Sequence, residues 1–183
     1  MAIKKIITIP NSILKKISSS VEVVDDKIRS TLGDMLETMY AAPGIGLAAI
    51  QIGIPKRMIV IDVSEERNEP HCFINPEIMR PSKTITSFEE GCLSVPGVWE
   101  EIERPDKCSV KYLNRDGKEC EKKYSGLMAT VIQHEVDHLE GIVFVDHLSR
   151  LKKDRSIKKS IKFQKNPVKE DRLAKYHNDK KSK

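Results

Sequence analysis

The sequence feature that most constrains this chain is the run His134-Glu135-Val136-Asp137-His138. In a helix, histidines four residues apart lie one above the other on one face, so both imidazoles can bind the same metal ion. Glu135 stands between them and can reach a water molecule or substrate on that ion without binding the ion itself. Two surface histidines at this spacing would carry no chemistry, but the apolar residues before the run favour a buried helix. The run therefore predicts a catalytic metal site.

The residues around the run support the helix. Ser125 can cap its start, and Gly141 suits the position just past its end. An apolar stripe between them is formed by Leu127, Val131 and Ile132. Because two histidines are too few for a protein metal site, a third ligand must come from another part of the chain.

Cys92, within Glu90-Gly91-Cys92-Leu93-Ser94-Val95-Pro96, is the best candidate for that ligand. Gly91 permits an unusual backbone before it, and Pro96 marks a strand or turn boundary after it. Two imidazoles and one thiolate would leave the fourth position open for water, as in catalytic zinc sites. A small buried cysteine is the alternative interpretation. It does not explain why Cys92 lies in a segment so rich in glycine and turn residues.

The segment from Pro43 to Gln51 contains two glycines two residues apart, Gly44 and Gly46. A dinucleotide-binding loop would need a preceding strand and a third glycine, but a helix precedes here and Ala49 stands at the third position. The small residues instead predict a loop whose backbone passes close to a ligand. Gln51 then offers an amide donor at its end.

Length and composition predict one domain with a full hydrophobic core in the 183 residues. No apolar run is long enough to span a membrane, and the N-terminus lacks a secretory signal. The cysteine spacing is not that of a zinc ribbon. In a chain of this size without an export signal, we expect reduced thiols in a cytosol and not a disulfide-stapled secreted domain. Cys72, Cys108 and Cys120 are expected to be structural thiols.

Charge is distributed unevenly along the chain. Residues 150–183 contain 14 Lys and Arg against 4 Asp and Glu, which leaves 18 basic and 23 acidic residues in the remainder. The body is mildly acidic and the C-terminal segment strongly basic. Two interpretations stay open for that segment: a surface that binds a polyanion, and a solvated helix with a disordered end.

Hydrophobic periodicity and turn residues predict an α+β fold with a C-terminal helix. The predicted helices are 11–19, from Asp25 or Asp26 to Ala42, the metal-bearing helix, and a last helix capped by Ser149 with Leu151, Ile157, Ile161 and Phe163 as apolar members. The predicted strands are 56–63, 72–75, 83–89, 108–113, 118–124 and 142–145, with a hairpin turn at Asn114-Arg115-Asp116-Gly117. Asn166-Pro167 should end the last helix, which divides the chain into a catalytic domain (1–165) and a lysine-rich, disordered tail (166–183).

Three stretches together resemble the peptide deformylase family. They are Gly44-Ile45-Gly46-Leu47-Ala48-Ala49-Ile50-Gln51, Glu90-Gly91-Cys92-Leu93-Ser94, and Gln133 to Gly141. The likeness runs from about Ile6 to Phe163. It implies mixed or antiparallel sheets packed around a central metal-bearing helix. It also implies a bacterial-type, iron-dependent enzyme that removes the formyl group from the initiator methionine of nascent chains and releases formate.

The resemblance also implies roles for individual residues. Cys92, His134 and His138 would bind the metal, natively Fe²⁺, with Zn²⁺, Ni²⁺ or Co²⁺ able to replace it. The amide of Gln51 and the backbone N–H of Leu93 would stabilise negative charge on the formyl oxygen. Glu135 would act as a general base and then as a general acid.

The resemblance further implies where the substrate binds. An extended peptide would pair with backbone near Ile45, Gly46 and Gly91, like an added strand. The methionine side chain would enter a pocket formed by Phe88, Leu127, Thr130 and Val131. Thr130 stands where the family often has a larger aliphatic residue. Trp99 could shelter the substrate or simply pack, and Glu90 and Arg104 could form a pair that orients the site or an unrelated surface pair.

We further expect a monomer in a bacterial cytoplasm, with the basic C-terminal segment contacting the ribosome.

Three rival interpretations remain. A zinc peptidase would take its third ligand downstream, where Asp146-His147 is the first option. The other two are an inactive homologue that binds nucleic acid through its tail, and a related enzyme that acts on other N-acyl substrates.

Overall fold

The computed structural model describes residues 2–166. They form three α-helices: α1 (Asp26–Ala41), α2 (Gly126–Leu139) and α3 (Arg150–Lys165). The seven strands are β1 (Gly46–Ala48), β2 (Met58–Ile61), β3 (His71–Ile78), β4 (Ile85–Cys92), β5 (Val95–Pro105), β6 (Lys107–Leu113) and β7 (Glu119–Ser125). Short 3-10 turns lie at Ser12–Lys15, Ala49–Ile52 and Phe144–His147. The predicted α+β class is confirmed.

Five strands form one antiparallel sheet in the order β1-β2-β3-β6-β7, and β4 and β5 form a separate antiparallel hairpin. β1 is an edge strand, and it pairs with β2 through Gly46 opposite Ile61. The hairpin β4–β5 is joined by a tight turn in which Cys92 pairs with Val95. The free edge of β1 and the hairpin are therefore both available to shape a cleft.

The sheet lies between α1 and α2 at its β1–β3 end. Ile59 and Ile61 of β2 pack in the cluster that contains Ile132 and Leu139 of α2. The alternate residues Met58 and Val60 pack with α1 instead. A strand covered on both faces must be apolar at every position, which explains the continuous apolar run of β2.

The metal-bearing helix begins and ends where the sequence predicts. Ser125 is its N-cap residue, although its side chain makes no capping hydrogen bond. Gly141 has φ +73, a left-handed conformation that favours glycine after a helix. A Cβ at this position would also stand 2.5 Å from the carbonyl oxygen of Lys15, so the end of α2 passes close to the N-terminal segment.

Several predicted elements differ from the structure. Only Ser12–Lys15 of the predicted helix 11–19 is helical, as a 3-10 turn capped by the side chain of Asn11. The predicted strand 142–145 is wrong: Val143 and Phe144 are buried, but the chain turns at Phe144–His147 instead of pairing with a strand. β1 and β5 were not predicted, because Gly44 and Gly46 favour a loop around the first and Pro96, Gly97 and Pro105 interrupt the second.

Helix α3 ends at Lys165, as predicted, but its buried face differs. Leu151 is exposed, whereas Ile157 packs against the core as predicted. The fully buried residues of the helix are Ser156 and Ser160. The Ser156 hydroxyl donates to Glu100 on β5 at 2.9 Å. Phe163 lies against Gly97, whose Cβ would stand 2.5 Å from the ring. Small polar residues bring α3 close to the hairpin, a contact that an apolar pattern does not predict.

The predicted tail, apart from Asn166, lies outside the described residues. Within them, all four cysteines are free thiols, and no helix is both long and apolar enough to cross a bilayer.

Candidate metal centre

Helix α2 places His134 and His138 on one buried face, with their ring centroids 5.1 Å apart. The hairpin β4–β5 brings Cys92 to the same point. Its Sγ lies 3.2 Å from Nε2 of His138, and the candidate ligand atoms of Cys92, His134 and His138 all lie within 4.8 Å of one another. The register of the hairpin shifts between Gly91 and Cys92, which reorients the chain at the thiol.

The donor set fits a divalent metal ion. One thiolate and two imidazoles are ligands of catalytic zinc sites, and they suit Fe²⁺, Co²⁺ and Ni²⁺ as well. Oε2 of Glu135 is buried and has no hydrogen-bond partner among residues 2–166. A buried carboxylate oxygen left unpaired beside such a cluster is the partner that a water molecule at the metal would require.

The histidines are held in different ways. Nδ1 of His134 lies 2.7 Å from Oε2 of Glu90, which leaves its Nε2 free to bind a metal. Burial, followed by the charge of His134, lowers the pKa of His138 well below its usual value, so this imidazole is neutral and ready to bind. The ring of Phe144 stacks on His134, with centroids 6.0 Å apart.

Arg104 stands behind His134 and joins two carboxylates. Its guanidinium contacts Glu90 at 2.5 and 3.1 Å and Asp137 at 2.8 Å. Burial raises the pKa of Glu90, but the contacts with His134 and Arg104 outweigh it and hold the pKa below its ordinary value. The predicted Glu90–Arg104 pair is therefore a buried pair next to a candidate ligand, not an exposed one.

Glu135 is the carboxyl group of the site whose environment favours the protonated form. Burial raises its pKa to about 7, and Glu90 and Asp137 add to that rise against the opposing effect of His134 and Arg104. A carboxyl group with a pKa near neutrality can both accept and return a proton, which general acid–base catalysis requires.

Gln51 is buried and its amide faces the thiol. Its Oε1 accepts from the N–H of Ala48 at 2.7 Å, which fixes the direction of its Nε2. That nitrogen lies 3.1 Å from Oγ of Ser94 and 3.6 Å from Sγ of Cys92. Leu93 lies between these two residues, so its backbone is also at the site.

Gly46 and Gly91 lie at strand positions with no space for a side chain. A Cβ on Gly46 would stand 2.5 Å from Oε1 of Glu135 and 2.8 Å from Cγ1 of Val131. A Cβ on Gly91 would stand 2.6 Å from the ring of Trp99, its cross-strand partner. Trp99 therefore packs on the hairpin. The carbonyl of Ile45 accepts from the N–H of Asp62, which fixes the start of edge strand β1.

The residues predicted to hold a methionine side chain lie on α2 and β4. Thr130 and Val131 are buried, and Leu127 is partly exposed one turn earlier on α2. Val131 reaches the edge strand at Gly46, whereas Phe88 is half-buried on β4 opposite Ile102. The hydroxyl of Thr130 donates to the carbonyl of Gly126 at 3.3 Å, so it is satisfied within the helix.

Sequence reasoning assigned no role at this site to Asp137 or Phe144, and it named His147 only as a possible ligand of the rival zinc peptidase. Nε2 of His147 lies 2.7 Å from Oδ2 of Asp137. The position of Asp137, three residues after His134 in the metal run, was the only signal for it. Phe144 and His147 reach the site through the turn that replaces the predicted strand 142–145, so no local pattern identifies them.

Comparisons with known proteins agree on one family. The family described as polypeptide deformylase matches residues 3–154. Peptide deformylase of Maricaulis maris is 54% identical over 167 residues, 90% of this chain and 96% of that protein. Peptide deformylase of Pelagibacter ubique is 54% identical over 170 residues, 92% of this chain and 99% of that protein.

Solved structures are similar too. A peptide deformylase from Legionella pneumophila has a TM-score of 0.87 and 43% identity, covering 92% of this chain and 99% of its own. A peptide deformylase from Ehrlichia chaffeensis in complex with actinonin has a TM-score of 0.85 and 42% identity, covering 92% of this chain and 100% of its own.

Proposed function

Because this chain belongs to the polypeptide deformylase family, we propose that Cys92, His134 and His138 hold its metal ion and that Glu135 moves the proton. The protein is a metal-dependent hydrolase that removes the N-formyl group from the initiator methionine of newly synthesised polypeptides. The observation that carries the residue assignment is the buried, unpaired Oε2 of Glu135 beside three convergent ligand atoms.

The metal is proposed to be Fe²⁺ in the cell. A divalent ion at this site would lower the pKa of a water molecule and polarise the formyl oxygen. The mixed thiolate and imidazole donors support a transition metal over Mg²⁺ or Ca²⁺, which prefer oxygen ligands.

Glu135 is proposed to take a proton from the attacking water and to return it to the departing amine. Its pKa, raised to about 7 by burial, supports both halves of this exchange at neutral pH. Gln51 is proposed to donate from Nε2 to the negative charge that develops on the formyl oxygen, together with the N–H of Leu93. The bond from Ala48 to Oε1 supports this role because it leaves only donor hydrogens facing the site.

The substrate is proposed to lie extended between the edge of β1 and the hairpin, with its backbone beside Ile45, Gly46 and Gly91. An edge strand on one side and a hairpin on the other support strand addition. The methionine side chain is proposed to enter the space bordered by the residues that the sequence already suggested: Phe88, Leu127, Thr130 and Val131.

We also propose the remaining details of its setting. The catalytic domain would span 1–165, and the chain would act as a monomer in a bacterial cytoplasm, since the relatives named above are bacterial. The ribosome contact is proposed for the exposed basic side chains of α3. Lys152, Arg155, Lys159 and Lys162 recur at helical spacing and are all exposed, whereas Ser156 and Ser160 are buried.

The zinc-peptidase alternative is not supported by the position of His147. Its Nε2 faces Asp137, and the group of convergent ligands within residues 2–166 comprises Cys92 and the two histidines of α2.

The test is release of formate from formyl-Met-Ala-Ser by protein purified without oxygen, with bound metal quantified in the same sample. We expect about one metal per chain and turnover that is lost in air and restored by Ni²⁺ or Co²⁺. Bound metal with no formate release would point to other N-acyl substrates. Well-folded protein that binds no metal would contradict the proposed site.

A further inference from the structure

A continuous row of charged and polar contacts leads from the protein surface to His134. His147 contacts Asp137, Asp137 contacts Arg104, Arg104 contacts Glu90, and Glu90 contacts Nδ1 of His134. The four contacts are 2.7, 2.8, 2.5 and 2.7 Å long. Exposure falls along the row, from 38% for the side chain of His147 to 20% for Asp137 and 6% for Arg104.

One carboxylate oxygen joins the outer half of this row to the inner half. His147 and Arg104 both contact Oδ2 of Asp137, so together they fix the position of this atom. Burial raises the pKa of Asp137, but the hydrogen bond from His147 and the contact with Arg104 outweigh it and keep the carboxylate ionised. Without His147, Arg104 would be the only donor to that oxygen among the described residues.

The backbone that carries His147 is itself anchored. Oδ2 of Asp146 accepts from the N–H of Val143 at 2.7 Å and also contacts the ammonium of Lys15. Its Oδ1 lies 2.7 Å from the ammonium of Lys153. The same turn places Phe144 on the ring of His134. Because Lys15 and Lys153 hold this turn in place, His147 can fix the position of the Asp137 side chain.

From these contacts we infer that His147 is a positioning residue for the metal ligand His134, acting through Asp137, Arg104 and Glu90. It touches neither substrate nor metal. Its effect is to hold the Asp137 carboxylate where it fixes the guanidinium of Arg104, which in turn fixes the carboxylate that orients His134. This inference rests on the proposed metal site.

The test compares His147→Phe, which keeps a ring but removes the donor, with His147→Gln, whose amide can replace Nε2. The full chain is loaded with Zn²⁺, and release of the ion to a chelator is followed. Removing a direct outer partner of a histidine ligand lowers metal affinity about 10–100-fold. Because His147 stands further out, we expect release to be about threefold to tenfold faster for His147→Phe, and near the wild-type rate for His147→Gln.

A second measurement reports the geometry of the metal ligands and not the stability of metal binding. The visible absorption of the Co²⁺-loaded protein should shift in His147→Phe and not in His147→Gln, because the band positions depend on ligand orientation. His71→Phe is the matched control: His71 is an exposed histidine on β3 with its ring near Phe73, outside this row. It should leave release and spectrum unchanged. If His147→Phe did not fold, His147→Ala would serve in its place.

A double-mutant cycle with Asp137→Asn tests the path. If His147 acts through the Asp137 carboxylate, His147→Phe should change zinc release less than about twofold in the Asp137→Asn background. The full effect in that background would overturn the inference, as would wild-type release from His147→Phe alone. Wild-type protein that bound neither ion would instead overturn the proposed metal site.

Discussion

Gly46 and Glu135 face each other so closely that a Cβ on the glycine would stand 2.5 Å from Oε1 of the carboxylate. The edge strand and the metal-bearing helix therefore meet at the proposed proton carrier. The sequence predicted that the backbone around Gly46 passes close to a ligand. The structure adds that this backbone passes close to the side chain of Glu135. No φ strain is involved, because Gly46 is not among the glycines with positive φ; the constraint is space alone.

Gly46→Ala should displace the Glu135 carboxylate and lower kcat by about 100-fold, since a shift of about 1 Å in a catalytic group costs that much. The nearest atoms to the new methyl group belong to Glu135 and Val131, not to the ligands. Metal content should therefore remain near one per chain. Formate release and metal analysis on the same preparation check this, and unchanged kcat would show that Glu135 is not held by this contact.

Glu135→Gln should keep the metal and lower turnover by about 10²–10⁴-fold, the usual contribution of a general base. Formate release by the metal-loaded variant is the measurement. An active Glu135→Gln variant would remove Glu135 from the mechanism. Glu121→Gln, at an exposed position of β7, is the matched control and should retain full activity.

The raised pKa of Glu135 also gives a stability prediction for the metal-free protein. Because the folded pKa, about 7, lies above the ordinary pKa of 4.5, the folded state binds the proton more tightly than the unfolded state. Stability should then fall as pH rises from about 4.5 to about 7. Glu135→Gln should abolish this loss and be the more stable protein at pH 8, by about 3 kcal/mol. Urea unfolding at several pH values checks the trend, and a gain that did not grow with pH would contradict it.

Gln51→Ala should lower kcat by about 10²–10³-fold, as removal of one oxyanion donor does elsewhere. The structure adds a competing possibility, because Nε2 of Gln51 also lies 3.6 Å from Sγ of Cys92 and could act by holding the thiolate. Zinc release to a chelator separates the two. Slow release with low kcat supports the oxyanion role, whereas equal losses of metal and turnover support the thiolate role. Ser94→Ala, which removes the other partner of that amide, should have a smaller effect.

The sequence predicted those parts of the site that depend on local spacing. The two histidines and Glu135 follow from one helical turn, and Cys92 from a glycine and turn pattern. The hairpin strand β5 escaped prediction because Pro96, Gly97 and Pro105 interrupt its sequence pattern. In the structure its seven residues from Trp99 to Pro105 nevertheless pair in continuous register with β4. The contacts of His147 and Phe144 with α2 could not be predicted, because they depend on a turn that is anchored to Lys153 on α3 and to the distant Lys15.

Arg104→Met should destabilise the protein by about 3–5 kcal/mol at neutral pH, because it leaves the buried Glu90 and the half-buried Asp137 without their shared cation. Both carboxyl groups have lowered pKa values in the folded state. Each therefore stabilises the fold above its unfolded pKa, and this contribution is lost as pH falls through the folded pKa. The difference from wild type should consequently shrink below about pH 4. Urea unfolding at pH 7 and pH 4 checks this, and Glu90→Gln in the same background should recover part of the loss.

Reversing the charge of Lys152, Arg155, Lys159 and Lys162 to Glu should weaken co-sedimentation with ribosomes at low salt, if this stripe of α3 contacts ribosomal RNA. Deleting α3 would be the wrong test: Ser156 is bonded to Glu100, and Phe163 packs on Gly97, so deletion would also disturb the hairpin that carries Cys92. The four side chains are exposed, so reversing their charge leaves the contacts of Ser156 and Phe163 in place. The control reverses the charge of three exposed lysines elsewhere in the chain: Lys118, which precedes β7, and Lys122 and Lys123 on β7. Formate release from a short peptide should stay the same in both variants.

Loss of sedimentation with the α3 variant alone would support the contact. Equal sedimentation of all three proteins at low salt would rule it out, and equal losses in both variants would reduce it to non-specific attraction of a basic protein to RNA.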